Sequence, residues 1–305
     1  MAVDVVKAGS PFMGARRRLS SALWRRRWLK AGLLLTPPLA AFVFVYLAAL
    51  VSLFVSSFWS VDAFTGKLVH HWTLQNFSDL LHSNGTYLRI AVRTIGIAAA
   101  TTITDAVLAF PLAYFMARLA GRRARGLLFV LVLLPLWSSY LVRIYAWQTI
   151  LSHNGALNWS LNRIGLPDAN LAYTNWAMWI VFSYVWLPFM IIPVYAAVER
   201  IPDSLIEASG DLGARGARTF RSVVLPLALP GVVAGSIFTF SLTLGDFITP
   251  LLVGGKSSSF IGNVVEDFIG INGNIPFSAA FATVPVLIMA VYLLIARKLG
   301  AFEAL

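Results

Sequence analysis

The chain has 305 residues, of which 58% are hydrophobic and only 12% are charged, and its formal net charge is +11. A soluble protein of this length carries roughly twice that charged fraction, so the composition excludes an ordinary soluble domain and indicates a polytopic membrane protein. The positive charge does not indicate nucleic-acid binding, because most basic residues lie in short segments that flank apolar stretches. We therefore expect a lipid bilayer around the chain and no nucleic acid as a partner.

Chemistry-bearing motifs are absent from the sequence. There is no cysteine, which excludes disulfides and thiolate metal sites, and the four histidines lie in connecting segments without metal-ligand spacing. No G-x-S-x-G, H-E-x-x-H or paired-carboxylate pattern occurs. We expect no metal site, no catalytic residue and no enzymatic activity in this chain.

The apolar stretches predict an all-α fold with six transmembrane helices, since each is long enough to cross a hydrocarbon layer of about 30 Å. The predicted helices cover residues 31–57, 87–118, 127–151, 176–198, 227–253 and 278–296. Residues 1–30 form a basic arm, residues 31–298 the transmembrane domain and residues 299–305 a short tail. The first apolar stretch is too long for the apolar part of a signal peptide, so we expect an uncleaved helix there.

The distribution of positive charge predicts the orientation of the chain. Of its 24 lysines and arginines, 18 fall in four segments, namely 1–30, 118–125, 199–226 and 297–298. Basic loops remain on the cytoplasmic side of a membrane. We therefore expect both termini and the loop 199–226 in the cytoplasm, with a bacterial inner membrane as the location.

Residues 199–226 form a polar, basic loop between two strongly apolar stretches. Glu207 is predicted to begin a short helix, where an acidic side chain suits the helix dipole. Gly213 is predicted to end it, because glycine adopts backbone angles that other residues avoid. Pro226 is predicted to begin the next transmembrane helix, where proline is tolerated. Such a loop ordinarily only returns the chain to the bilayer, but its small residues also suit close contact with another protein.

Three charged side chains fall within predicted transmembrane helices, where an ionisable group normally faces the bundle interior or a water-filled path. Asp105 lies near the middle of the second helix, either on such a path or in a structural polar cluster. Asp246 and Arg143 lie at similar depths in the fifth and third helices. They are expected either to form an ion pair or to leave Asp246 facing the path of a cationic solute.

Aromatic residues follow the third predicted helix. Tryptophan and tyrosine ordinarily anchor a helix at the membrane interface, but aromatic rings also bind cations. Tyr140 and Tyr145 are the candidates for a substrate path, because Ser138, Ser139 and Arg143 accompany them.

The loop matches the pattern E-A-A-x3-G-x9-I-x-L-P with its spacing intact, and two positions depart conservatively, Ser209 and Val223. The identical residues are Glu207, Ala208, Gly213, Leu225 and Pro226. The chain thereby resembles permease subunits of binding-protein-dependent ABC importers. Residues 135–151, 187–202 and 245–255 are similar to the branch of this family that includes spermidine/putrescine permeases. The similarity extends from about residue 72 to the C-terminus.

The resemblance implies a type I ABC importer permease fold and a loop that docks on a separate ATPase. Leu212 and Phe220 would supply apolar anchors for that contact. The residues that the resemblance assigns to coupling are Glu207, Ala208, Ser209, Leu212, Gly213, Phe220, Leu225 and Pro226. It implies four kinds of partner: a second permease subunit, most often a different chain, a cytoplasmic ATPase dimer, an extracytoplasmic solute-binding protein and the bilayer. ATP and Mg would bind to the ATPase, and no cofactor to this chain.

Two further hypotheses remain open at this stage. A stand-alone secondary transporter or channel would use Asp105 and Asp246 as ion sites. A membrane scaffold or receptor would carry a soluble module, and none is recognisable in the sequence. For the importer, a polyamine is the expected substrate, with another small solute as the alternative.

Overall fold

The computed structural model describes residues 27–62, 64–83, 85–255 and 258–298. The predicted basic arm, apart from its last four residues, and the predicted tail lie outside this part of the chain. The described residues are mainly helical, as predicted. They include one short antiparallel hairpin, formed by β1 (Ser60–Val61) and β2 (Leu68–Val69).

The helices are numbered here in chain order. They are α1 (Arg27–Phe42, Val43–Leu47 and Ala48–Ser56), α2 (Gln75–His82), α3 (Thr86–Leu119), α4 (Arg122–Trp137), α5 (Tyr140–Leu151), α6 (Ala156–Arg163), α7 (Asn175–Glu199), α8 (Asp203–Asp211), α9 (Gly216–Gly245), α10 (Ile248–Val253), α11 (Ile261–Gly270) and α12 (Ile275–Lys298).

Five stretches in the described part of the chain are long and apolar enough to cross a membrane: Leu34–Ser56 within α1, and the whole of α3, α7, α9 and α12. The third predicted span differs from expectation. Instead of one helix over 127–151, α4 is followed by a 93° bend into Tyr140–Arg163. Ser138 and Ser139 at the bend are extended, and a 3₁₀ turn that contains Pro135 precedes them. Proline and serine at this point favour leaving the helix, which explains the break.

The fifth predicted span differs at both ends. It stops at Gly245 rather than at residue 253, and the short helix α10 follows after a two-residue break. Helical structure already begins at Gly216, but Pro226 lies in the first turn of the α-helical segment Leu225–Gly245, as predicted. A π-helical turn, Phe220–Val224, directly precedes the segment that contains this proline. We attribute the continuity of the helix to this wider turn, which changes the carbonyl positions that a proline ring would otherwise meet.

The centre of the bundle is formed by α3, α7 and α9, each of which contacts the other two. Gly231 and Gly235 of α9 face α7 closely. A Cβ atom added at Gly231 would lie 2.4 Å from the Cβ of Ala197, and one at Gly235 would lie 2.7 Å from the sulfur of Met190. The two glycines therefore allow the backbones of α7 and α9 to approach, as small residues do in membrane helices.

Within the described residues, those before residue 56 and those from residue 56 onward form two separate compact units. Within the described part of the first unit, α1 exposes large apolar side chains such as Leu34, Phe44 and Val45. The second unit contains the central helices, the short helix α2 before them, and the short helices α6, α8, α10 and α11.

Candidate functional site

The predicted loop 199–226, called the loop segment below, consists of the end of α7, helix α8, a turn and the first three turns of α9. Leu212–Arg215 form the turn, and Gly213 within it has a φ of +78°. The N–H of Gly213 bonds to the carbonyl of Gly210, and the N–H of Ala214 to that of Ser209. This is a Schellman closure of the helix end, and it requires the left-handed conformation that glycine adopts readily.

The start of α8 differs from the prediction. The helix begins at Asp203, so Glu207 lies in its middle and the acidic side chain in the first turn is that of Asp203. Pro202 directly precedes Asp203 and is itself extended, so it separates α8 from α7. Proline has no backbone N–H and therefore does not continue the hydrogen bonding of α7. The dipole argument made for Glu207 therefore applies to Asp203 instead.

The two predicted apolar anchors have different surroundings. Leu212 is 89% exposed at the tip of the turn. The ring of Phe220 instead packs edge-on against Phe110 at 5.2 Å and Tyr114 at 6.3 Å, both on α3. Phe220 is thus already engaged within the chain, contrary to the expectation that it would face a partner, and Leu212 is the apolar side chain that the turn presents.

The remaining motif residues are mostly exposed. Glu207, Ala208, Leu225 and Pro226 are all exposed. Ser209 is half-buried, and its hydroxyl lies 3.0 Å from that of Thr219, which joins α8 to the start of α9. The small side chain at position 209 thus holds the two short helical parts of the loop segment together.

A second group of candidate residues lies where the two helix breaks meet. The buried carboxylate of Asp246 accepts hydrogen bonds from the N–H groups of Ile248 and Thr249, at 2.8 and 3.2 Å, and from the Thr249 hydroxyl at 2.9 Å. The hydroxyl of Tyr140, at the start of α5, also donates to it. Both carboxylate oxygens of Asp246 are therefore occupied by protein donors.

Arg143 does not form the ion pair with Asp246 that the sequence suggested, since within the described residues no carboxylate lies within 4.0 Å of its guanidinium. Its central carbon lies 5.9 Å from the centre of the Tyr140 ring, a cation–π distance. The carboxylate of Asp246 is already satisfied by neutral donors, which explains why the arginine is not required there.

Asp105 is fully buried on α3, and within the described residues neither of its carboxylate oxygens has a hydrogen-bond partner. The side chain of Ser183 on α7 interacts with it but does not meet hydrogen-bond geometry. The hydroxyl of Thr101, one turn earlier on α3, and the indole N–H of Trp186, one turn later on α7, are also buried and unpartnered there. Next to Asp105, the indole N–H of Trp179 donates to the Thr104 hydroxyl at 3.1 Å, which joins α7 to α3.

The ring of Trp186 packs against the second group of candidates. It stacks on Tyr140 with a centroid distance of 5.5 Å and an interplanar angle of 19°. The structure thus brings Tyr140, Arg143 and Asp246 together, whereas Asp105 interacts with Ser183, one turn before Trp186 on α7. Tyr145 is 51% exposed and does not join this second group.

Sequence reasoning missed Ser183, Trp186 and Arg118. A signal existed for Ser183, because it is a small polar residue in the middle of a strongly apolar stretch. Arg118 was counted only as a topology signal, yet its side chain is 12% exposed and bonds to the end of α7 and to α8.

Comparison with known proteins identifies the family. Residues 109–300 match the family described as "Binding-protein-dependent transport system inner membrane component". The chain belongs to this family. It is a permease subunit of an ABC importer, a multi-pass inner-membrane protein whose role is transport rather than catalysis. The resemblance noted at the loop motif is confirmed, and the stand-alone carrier and the scaffold are set aside.

Named relatives cover the whole length of the chain. It is 44% identical over 319 aligned residues, with both chains fully covered, to the "Inner membrane ABC transporter permease protein YdcU" of Escherichia coli K12. It is 34% identical over 256 residues to the "Spermidine/putrescine transport system permease protein PotB" of the same organism, covering 83% of this chain and 91% of the relative.

A solved structure has the same fold. This structure is of a bacterial ABC transporter involved in the import of the acidic polysaccharide alginate. It superposes with a TM-score of 0.73 at 18% identity, covering 93% of this chain and 98% of the other. The type I importer permease fold expected from the sequence is therefore confirmed.

Proposed function

We propose that this permease imports a cationic solute of the polyamine class and that the interface of α3 and α7 lies on its path. The observation that carries the proposal is the carboxylate of Asp105, fully buried and without a protein donor among the described residues. A buried ionised carboxylate is costly unless something compensates its charge. An ammonium group of a passing solute supplies that compensation, and the stacked Trp186 and Tyr140 offer aromatic surface one turn along α7 from Ser183, the residue that interacts with Asp105. The relatives named as spermidine/putrescine permeases support the same class of solute.

Asp246 has a different role in this proposal. Because its oxygens are occupied by Tyr140, Thr249 and backbone N–H groups, it fixes the aromatic ring rather than contacting the solute. Arg143 beside Tyr140 adds a positive charge at the same junction. Asp105 is thus the acidic group on the path, with Asp246 and Arg143 shaping the outer junction.

Energy is proposed to come from outside the chain. With the loop segment and both termini in the cytoplasm, the exposed surface around Glu207, Ala208 and Leu212 docks on an ATPase dimer that binds ATP and Mg. A second, different permease subunit completes the path, and a solute-binding protein delivers the solute on the extracytoplasmic side. Closure of the ATPase dimer moves the loop segment, and the helices alternate between inward and outward access.

The test is uptake of labelled spermidine and putrescine into vesicles that contain the whole transporter, with its solute-binding protein added. Asp105→Asn should lower polyamine uptake at least about tenfold, because it removes a charged contact worth about 1.5–3 kcal/mol. Asp79→Asn, which makes the same change at an exposed site on α2, is the matched control and should leave uptake unchanged. Unchanged uptake by Asp105→Asn would remove the path role, and a binding protein that takes another solute but no polyamine would remove the substrate class.

A further inference from the structure

The loop segment connects α7 to α9 in sequence, yet both of its ends are attached to α3. At its first end, Arg118 of α3 contacts the residues around the start of α8. At its last end, Phe220 packs on Phe110 and Tyr114 of α3. Phe110, Tyr114 and Arg118 are spaced four residues apart, so they lie along one face of α3 over about 12 Å.

The contacts of Arg118 reach three acceptors on two elements. One terminal nitrogen lies 2.5 Å from a carboxylate oxygen of Asp203 in the first turn of α8. The other donates to the carbonyl of Val198, at 2.7 Å, near the end of α7, and to the carbonyl of Ile201 in the connection to α8. Carbonyls near a helix end have fewer partners within the helix, and the guanidinium adds a donor to them. The carbonyl of Val198 also accepts the N–H of Ile201, at 3.3 Å.

The chemistry of this contact requires arginine. A guanidinium presents donors on two separate terminal nitrogens in a fixed plane, which allows it to bond to α7 and α8 at the same time. A lysine keeps the charge but concentrates its donors on one nitrogen at the end of a flexible chain. Arg118→Lys therefore tests the bridge separately from the charge.

We infer that Arg118 is a positioning residue for energy coupling, because it makes α3 move together with the loop segment when the ATPase displaces that segment. This inference rests on the proposed role of the loop segment as the ATPase contact. The carboxylate of Asp105 lies on α3, about 20 Å along the helix from Arg118 at 1.5 Å per residue. Arg118 thus transmits a displacement of α8 directly to α3, the helix that carries Asp105. The chain connections of the loop segment transmit it to α7 and α9 as well.

The experiment uses the whole transporter in vesicles and measures assembled complex, ATP hydrolysis and solute imported per ATP. Arg118→Lys should assemble and hydrolyse ATP, but import about 5- to 150-fold less solute per ATP, the range of ordinary coupling energies. Arg123→Lys is the matched control, because Arg123 is exposed in the next short basic segment. It should keep the wild-type ratio. A purely structural role for Arg118 predicts less assembled complex with an unchanged ratio, which would overturn the inference.

Asp203→Asn provides a second variant if Arg118→Lys fails to assemble. It removes only the ion pair and leaves the two carbonyl contacts, so a smaller fall in solute per ATP is expected. An unchanged ratio in Asp203→Asn would then overturn the inference.

A cross-link makes the same test from the other end of the loop segment. The chain has no cysteine, so Phe110→Cys with Phe220→Cys introduces two thiols, which a short bifunctional reagent can join. If α3 and the loop segment move together, the joined protein keeps importing solute, and loss of import on joining would contradict the inference.

Failure of the proposed function is recognised separately from failure of this inference. If the wild-type transporter imports no polyamine but imports another solute, the substrate class is wrong, yet the ratio of that solute to ATP still tests Arg118.

Discussion

The hydroxyl of Tyr140 donates to the carboxylate of Asp246, and this contact joins two interrupted helices. Tyr140 begins α5 directly after the 93° bend, and Asp246 lies in the break between α9 and α10. A second contact, from the side-chain amide of Gln148 to the carbonyl of Leu252 at 2.7 Å, joins the same two short helices further along. The paired breaks therefore form one junction in which α5 and α10 support each other.

Tyr140→Phe should destabilise this junction. It removes one donor from the buried carboxylate of Asp246, a loss of about 1–3 kcal/mol for a charged acceptor. Thermal unfolding of the purified protein in detergent should show a lower midpoint. Tyr145→Phe makes the same change on the same helix at an exposed side chain and should leave the midpoint in place. Equal midpoints for both variants would contradict the role of the junction.

Gly231→Ala should disturb the packing of α9 on α7. The added Cβ would lie 2.4 Å from the Cβ of Ala197 and 2.6 Å from the carbonyl oxygen of Pro193, so the helices must separate at a cost of about 1–3 kcal/mol. Gly96→Ala on α3 is the matched control, because no atom lies within 4 Å of its added Cβ. It should be neutral or stabilising, since alanine is the better helix former. Thermal unfolding of the two variants side by side distinguishes packing from propensity.

Gly213→Ala should loosen the end of α8. At a φ of +78° an alanine costs about 1–2 kcal/mol although the space around it is open. We expect faster hydrogen exchange in the turn and lower solute-stimulated ATP hydrolysis in the assembled transporter. Gly210→Ala, three residues earlier within α8 and also in open space, should not reduce hydrolysis. If the two variants hydrolyse ATP equally, the shape of the turn has no part in coupling.

Leu212→Ala should weaken the contact with the ATPase. Leu212 is 89% exposed in this chain, and burial of such a side chain in a partner's groove contributes about 1.5–3 kcal/mol. Binding of purified ATPase to permease-containing vesicles should fall by at least about tenfold. Leu166→Ala, at an exposed leucine in the connection between α6 and α7, should bind the ATPase as the wild type does. Wild-type binding by Leu212→Ala would exclude Leu212 as the anchor.

Local sequence patterns were sufficient for several of the long helices and for the turn of the loop segment. The lengths and positions of α3, α7 and α12 follow from hydropathy alone, which the lipid environment imposes on each helix separately. The left-handed backbone at Gly213 also follows from its immediate neighbours, because a Schellman closure involves only the last turn of one helix.

The helix breaks were not predictable in this way. The stretch 127–151 is apolar enough to read as one helix, and Pro135, Ser138 and Ser139 favour a break there without requiring one. What holds the chain after the break is distant in the sequence. The hydroxyl of Tyr140 donates to Asp246, which lies 106 positions away.

The sequence by itself determined that the chain is a membrane protein, where its apolar spans lie and which loop bears the family motif, because each of these is a property of neighbouring residues. Only the tertiary structure decided what the polar side chains do. Among the described residues it left the carboxylate of Asp105 without a hydrogen-bond donor, satisfied that of Asp246, turned Phe220 inward and placed Arg118 across two helix ends. The reason is physical: whether a buried polar group is paired depends on which distant helices become its neighbours, and hydropathy does not encode that arrangement.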